Sequence, residues 1–387
     1  KNGLAYYNRG LVLRAQGHED RAITDFTQAI HFDGKNALAF FNRGLAYRDR
    51  SDLDHALADF DQAVQIDGNN AQAWYERGNA RFAKRNFDGA IADLNTAINI
   101  KPDYTAAFNV RGMAYEGKGD SNRAIADFDQ AIRIDPSFAA ALSNRGNAYQ
   151  KKRDYTRAIA DFDLAIKANP AFAEAWYSRG MALAGKRDCG HAISDFTHAI
   201  KLDAKNADAY NGRGLCYASA NDDEHAFQDF DAALKLKPNF ASAYFNRGMA
   251  NYARHDYDHA IADLTQAMRL DPQNITTVHA RGVAYRERHD YDHAIADFDT
   301  ALKIDPKFTV GYVDRGDAYQ RKGDYDRAVH DYDQAIKLDP KNAAAFTERG
   351  NTYALRGKID RALQDYEQAI RFNPNYAGVR NSRAMLW

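Results

Sequence analysis

The sequence predicts an all-α protein built as one elongated stack of short helical pairs, and three observations carry that prediction. A 34-residue period runs along nearly all of the 387-residue chain, giving eleven units between Gly3 and Tyr376. Inside each unit apolar residues recur at helical spacings in two separate sets. All eight prolines fall at one point of the period, where a helix must stop. Without the period this length would predict two or three globular domains; with it, the expected object is a stack of repeats.

The units start at Gly3, Ala37, Ala71, Thr105, Ala139, Ala173, Ala207, Ala241, Ile275, Thr309 and Ala343, and each start is position 1 of its repeat. Apolar residues at positions 4, 8 and 11 mark a first amphipathic helix, and those at 17, 20, 21, 24, 27 and 28 a second. Position 8 is always glycine, and positions 20 and 27 are always alanine. Such small residues let helix axes approach while bulky neighbours such as Tyr115 and Phe128 fill the gaps. A mid-helix glycine costs about 0.5–1 kcal/mol relative to alanine, so its recurrence implies sites where a methyl group would clash.

Helix ends are marked as well. Aspartate at position 16, as in Asp52, Asp120 and Asp154, is placed to cap the second helix. Lysine or arginine dominates position 29, in that helix's last turn, where it complements the dipole. Proline at position 32, as in Pro102 and Pro136, then turns the chain into the next repeat.

Position 7 is arginine in every repeat, from Arg9 to Arg349 and again at Arg383, and position 23 is always aspartate. One such pair per repeat predicts a ladder of ion pairs that fixes register, within a repeat or between neighbours. The competing reading is a row of arginines that grips acidic ligands.

Composition excludes several classes. The 52 basic residues balance 53 acidic ones, so no bulk field favours nucleic acid. No apolar run is long enough for a membrane-spanning helix. No charged-then-apolar leader stands at the front, but the sequence starts inside a repeat, which leaves a leader open. Cys189 and Cys216 are the only cysteines, neither a disulfide framework nor a zinc set, which fits a cytoplasmic setting without requiring one. Gly112–Lys118 follows much of a phosphate-loop pattern, but Gly119 replaces its Ser or Thr and no strand precedes it. His255, His259, His289 and His293 could meet as a metal site or form a wet helix rim; the rim is the expected reading, with no metal and no cofactor. Asn274-Ile275-Thr276 fits a glycosylation acceptor, but a single match in a chain of this length carries little weight.

The fourth repeat reads Phe108, Gly112, Tyr115, Ala124, Phe128, Ala131 and Pro136 at positions 4, 8, 11, 20, 24, 27 and 32, which resembles the tetratricopeptide repeat. The resemblance recurs through all eleven repeats. It implies a right-handed superhelical α-solenoid over residues 3–376, whose first helices line a concave groove. Residues 377–387 would then start a twelfth repeat or form a truncated capping helix. Repeats three and eight depart from the pattern: Arg81 and Asn251 replace tyrosine at position 11, and the ring moves to Phe82 and Tyr252, aimed toward the groove.

The resemblance also implies a non-enzymatic scaffold that binds a protein or peptide, with groove residues at positions 2, 5, 6, 9, 12 and 13. At the front these positions give Leu4, Tyr7, Asn8, Leu11, Leu38, Phe41, Asn42, Leu45 and Tyr75, an apolar strip flanked by amides. Rings would bury a ligand's side chains while asparagine bonds its main chain. The same strip could instead be packed against sequence not included here. Asn79, Asn144, Tyr177, Phe245 and Asn246 extend the expected wall, and Asp314, Asp317, Glu348 and Asn351 make its last repeats acidic, suited to a basic segment or simply to solvent. The alternative function is a regulatory or targeting arm cut from a larger enzyme. Self-association through exposed solenoid ends is a further option.

Overall fold

The computed structural model describes residues 2–374, and every regular element among them is an α-helix. Residues 377–387 and Arg383 lie outside the described residues. In each repeat the first helix covers positions 1–13, from Gly3–Ala15 to Ala343–Leu355, and the second covers positions 17–30, from Glu19–Phe32 to Ile359–Phe372. The chain divides into two compact bodies, residues 1–203 with six repeats and residues 204–387 with the remaining five.

Both bodies are built the same way. The position-24 side chain fills the space over the glycine: a Cβ on Gly112 would lie 2.5 Å from Cε1 of Phe128, and one on Gly146 2.7 Å from Cε1 of Phe162. The alanines at positions 20 and 27, such as Ala124 and Ala131, are wholly buried beside these rings. Glycine at position 8 is therefore required by close approach and not by backbone conformation. The lysine-bearing segment Gly112–Lys118 is part of this packing, because Gly112 lies within the helix Thr105–Gly117.

Capping follows the expectation wherever position 16 is acidic. Asp120 Oδ1 accepts from the Arg123 N–H at 3.0 Å and Asp154 Oδ1 from that of Arg157 at 3.1 Å. His18 and Lys358, which stand at the same position, make no such bond. First helices use position 34, where Asn36, Asn70, Asn206, Asn274 and Asn342 cap through their side chains. Asn274 is thereby committed to its helix, its Oδ1 accepting from the Thr277 N–H at 3.1 Å.

The repeated arginine answers to two partners. Within its own repeat it grips the position-23 aspartate through Nε and Nη2, for example Arg145 on Asp161 at 2.8 and 2.6 Å. Its Nη1 then reaches position 25 of the preceding repeat, as Arg145 does to Asp129 at 2.6 Å, Arg77 to Asp61 at 2.7 Å and Arg111 to Asn95 at 2.7 Å. All eleven position-23 aspartates are buried. The hydrogen bond to Asp161 outweighs desolvation and holds the Arg145 guanidinium above its ordinary range. From the second repeat on the arginine thus locks a helix pair and, through Nη1, ties it to its neighbour as in Arg77, Arg111 and Arg145, which leaves no row of free guanidinium groups among the described repeats for an acidic ligand.

Repeats three and eight extend this network. Arg81 Nη1 lies 2.9 Å from Asp93, and Asn251 Nδ2 donates to Asp263 at 3.3 Å. The expectation that Phe82 and Tyr252 turn toward a groove is corrected: each is half-buried against the ring at position 17, Phe87 at 5.8 Å and Tyr257 at 5.7 Å between centroids.

Candidate functional site

Within each body, first helices of successive repeats touch one another, whereas second helices of successive repeats do not. The stack is therefore tighter on the first-helix side, and that side forms the inner wall. Positions 5 and 6 lie on it.

The structure uses these two positions in a way the sequence reading did not foresee. The side chain at position 6 bonds the one at position 5 of the preceding repeat. Asn42 Nδ2 donates to Tyr7 Oη at 3.2 Å, Asn144 Nδ2 to Asn109 Oδ1 at 2.9 Å, and Asn246 Nδ2 to Asn211 Oδ1 at 3.0 Å. His279 Nε2 pairs with Asp314 Oδ2 at 2.6 Å in the same register. The amides at Asn42, Asn144 and Asn246, expected to line the groove and bond a ligand, use their N–H groups to staple adjacent repeats. Complementary polar pairs 35 residues apart were the available signal.

The apolar strip at the front is also largely internal. Phe41 is 6% exposed and Leu45 5%, both packed around Phe60 and Ala63, and Asn42 is 9% exposed. These three are corrected from groove-facing to core: Trp74 and Tyr47 pack against the cluster that holds Phe41 and Leu45, and Asn42 is held by Tyr7 and by the Leu38 carbonyl. Tyr7 and Leu11 are half-buried on Phe26, and Tyr75 stands 4.9 Å from the Tyr104 ring. Tyr177 leans on Phe196 at 6.0 Å, while Asn79 is half-buried and Asn8 exposed. Leu4 at 71% and Leu38 at 51% exposure are the apolar side chains of this region that do face outward.

The acidic character of the last repeats is neutralised from within. Arg286 Nη1 meets Asp314 at 2.6 Å and Asp317 at 3.3 Å, and Arg321 Nε meets Asp317 at 3.2 Å. Glu348 is pushed up by burial and accepts from Asn351 Nδ2 at 3.1 Å. A basic segment would find these carboxylates already paired. For Asp314, burial pushes the carboxyl up, but the His279 hydrogen bond and the charge of Arg286 outweigh it and hold it below the ordinary 3.8.

Because the folded-state value is depressed, this staple contributes fully above the unfolded value and is lost as the pH falls through the folded one. Asp314→Asn is therefore expected to lower the melting temperature at neutral pH and to leave it close to wild type in strong acid. Thermal melts of both proteins from acid to neutral pH check this, and a constant gap between the two curves would rule it out.

One concavity on the inner wall gathers polar and apolar groups. It measures about 320 Å³ between repeats eight and nine and is lined by Ser242, Phe245, Asn246, Asp271, Asn274 and Thr276, among others. Phe245 forms part of its lining from the core side, packed on Ala260, Ile261 and Leu264. Sequence reasoning named Phe245 and Asn246 but missed Asp271 and Asn274, since positions 31 and 34 read as turn and cap. Among the described residues no cluster of three or more His, Cys, Asp or Glu side chains could hold a metal ion. His255 and His259 are taken up locally by Tyr257 and Asp256. No described helix is long and apolar enough to cross a membrane.

Paired helices in tandem, ion-locked to one another and presenting a first-helix wall, define a helical-repeat α-solenoid. The tetratricopeptide repeat profile matches residues 109–171, 143–188, 177–239 and 313–377. Related profiles described as TPR or tetratricopeptide repeats match 44–85, 78–119, 241–274, 279–308 and 4–36. The chain belongs to the tetratricopeptide repeat family, whose members are generally non-enzymatic, and it is a scaffold for protein–protein interaction. No curated protein matches it. Among solved structures it resembles the APC/C hetero-tetramer Cut9–Hcn1, at 15% identity over 99% of this chain and 96% of that one, with a TM-score of 0.51. Yeast Tom70 is 16% identical over 99% and 94%, with a TM-score of 0.46. YrrB, described as a TPR protein with an unusual peptide-binding site, is 23% identical over 49% and 97%, with a TM-score of 0.41. At these identities the likeness concerns the fold alone.

Proposed function

We propose that the chain binds an extended segment of a partner protein on its first-helix wall, with the concavity between repeats eight and nine as the anchoring point. The observation that carries this reading is the combination of the Phe245 ring, two exposed hydroxyls and the Asn246 amide around about 320 Å³ of open space. That volume accommodates one apolar side chain against Phe245. Ser242 and Thr276 can donate or accept, and Asn246, whose Nδ2 is held by Asn211, keeps its carbonyl oxygen for a main-chain N–H. Asp271 adds a negative charge at the rim, favouring a segment with a nearby lysine or arginine. In the N-terminal body the surface proposed for contact narrows to Leu4, Asn8 and Leu38.

The test uses peptides selected on the wild-type protein from a random display library and titrated calorimetrically. Ser242→Trp places a large ring across the mouth from an exposed position and is expected to weaken binding about tenfold or more, a loss of about 1.4 kcal/mol. Unchanged affinity for every selected peptide would remove the concavity from the reading.

A further inference from the structure

We infer that the edge formed by the turns between first and second helices in repeats four to six is a second interaction surface, one that takes a segment of a partner rich in glutamate or aspartate. The inference rests on a comparison the chain makes with itself. Position 14, at the end of the first helix, is lysine or arginine in nine repeats. In most of them this cation bonds the acid at position 18 of the preceding repeat: Lys84 with Asp54, Lys118 with Asp88, Lys322 with Asp292, and Arg288 with Asp258 at 2.7 Å. Along this edge a carboxylate is thus the partner each cation is built to hold.

Repeats four and five break the pattern on the acidic side only. Position 18 is Asn122 and then Thr156, so Lys152 finds a neutral amide oxygen at 2.7 Å and Lys186 has no acid in register. Arg153 and Arg187 follow directly, both exposed and both in left-handed turns at φ of 60° and 65°, where repeats one, four, ten and eleven have glycine. The turns 118–123, 152–157 and 186–191 together hold seven Lys or Arg side chains and three aspartates. Those aspartates are already engaged as helix caps, Asp120 with Arg123, Asp154 with Arg157 and Asp188 with His191, and Lys118 is held by Asp88, so the cations of these turns with no acid in register are Lys152, Arg153, Lys186 and Arg187.

The cations are also contiguous. Lys152 lines two open depressions of about 470 and 430 Å³; Lys118 completes the first and Lys186 the second. All of them belong to the N-terminal body.

Carboxylates fit this edge better than a nucleic acid does. Sequence-tolerant binding of single strands relies on exposed rings on which bases stack. Here the Tyr115 and Tyr149 rings are covered by Arg123 and Arg157, at 4.6 and 4.3 Å from guanidinium to centroid. Tyr155 lies against Gly185, where an added Cβ would meet its ring at 2.7 Å. What remains outward is a succession of cations at one-repeat intervals, which an acidic segment satisfies by supplying the carboxylates that positions 122 and 156 lack.

The experiment titrates the protein into fluorescein-labelled poly-glutamate and follows anisotropy at low and at physiological salt, with single-stranded poly-uridine RNA as the competing probe. The wild type is expected to bind poly-glutamate with an affinity that falls as salt rises. The double variant Asn122→Asp/Thr156→Asp restores the intramolecular acids that the other repeats accommodate and is expected to bind about tenfold more weakly, with an unchanged melting temperature or a higher one. A second variant, Lys152→Gln/Lys186→Gln, is expected to lose binding to a similar degree, and Ser242→Trp to lose none. No binding of poly-glutamate at low salt, wild-type affinity in either double variant, or tighter binding of the RNA would overturn the assignment.

Discussion

Asp161→Ala is expected to cost about 3–5 kcal/mol, the magnitude seen when one partner of a buried ion pair is removed. Asp161 is 4% exposed and receives two hydrogen bonds from Arg145, at 2.8 and 2.6 Å. The arginine cannot discharge itself, because its guanidinium remains protonated at any accessible pH. Its side chain is 19% exposed, so the charge left behind has little water to turn to. Asp129→Ala removes the other contact of the same arginine, at 2.6 Å, but this aspartate's side chain is 43% exposed and its loss is expected to cost less than about 1 kcal/mol. Urea unfolding of both variants gives the comparison. Hydrogen exchange adds its location, since in a repeat array a lost interface opens the helices beside it first. Equal penalties for the two aspartates would mean that the in-repeat pair is no more than a surface contact. Replacing both Arg145 and Asp161 by apolar residues of similar volume is expected to recover much of the loss, because the penalty arises from the stranded charge.

The fold was legible because each of its rules recurs in at least eight of the eleven repeats. A glycine under a ring, an aspartate at a helix start and a proline at a helix end each have one local cause, and local causes survive without coordinates. The ion-pair ladder was legible as residues but not as connections: Nη1 of Arg77 crosses to Asp61 while its Nε stays with Asp93, and no period distinguishes the two. The wall was the least legible part. Positions 5 and 6 sit where the inner surface meets the seam between repeats, so their exposure depends on the size of whatever the next repeat brings. Phe41 is buried because Trp74 packs against its cluster; Phe245, at the same position, borders open space where Ser242 and Thr276 are small. Helical periodicity assigns a residue to a face but cannot say how far the neighbouring repeat covers it.

Gly112→Ala is expected to destabilise the protein by about 1–2 kcal/mol, a figure that sets two opposed effects against each other. Alanine in a helix interior gains about 0.5–1 kcal/mol over glycine, whereas forcing a methyl group into a filled core costs about 1–3 kcal/mol. At Gly112 the methyl would come within 2.5 Å of Cε1, 2.8 Å of Cδ1 and 3.0 Å of Cζ of Phe128, three atoms of a rigid ring that is itself 1% exposed. The ring cannot retreat, so the clash prevails. At Gly248 the nearest atoms are Leu264 Cγ at 3.1 Å and Asp263 Cβ at 3.2 Å, and a branched side chain can rotate by a few tenths of an ångström. Gly248→Ala is accordingly expected to be near neutral. The same logic makes Gly112→Ala cheaper when Phe128 is first changed to leucine, the residue that repeats three and eight carry at this position as Leu94 and Leu264. A double-mutant cycle across Gly112 and Phe128, read by urea denaturation, should return a coupling energy of about 1 kcal/mol or more. If the two substitutions are simply additive, glycine at position 8 is retained for some reason other than the ring beneath it.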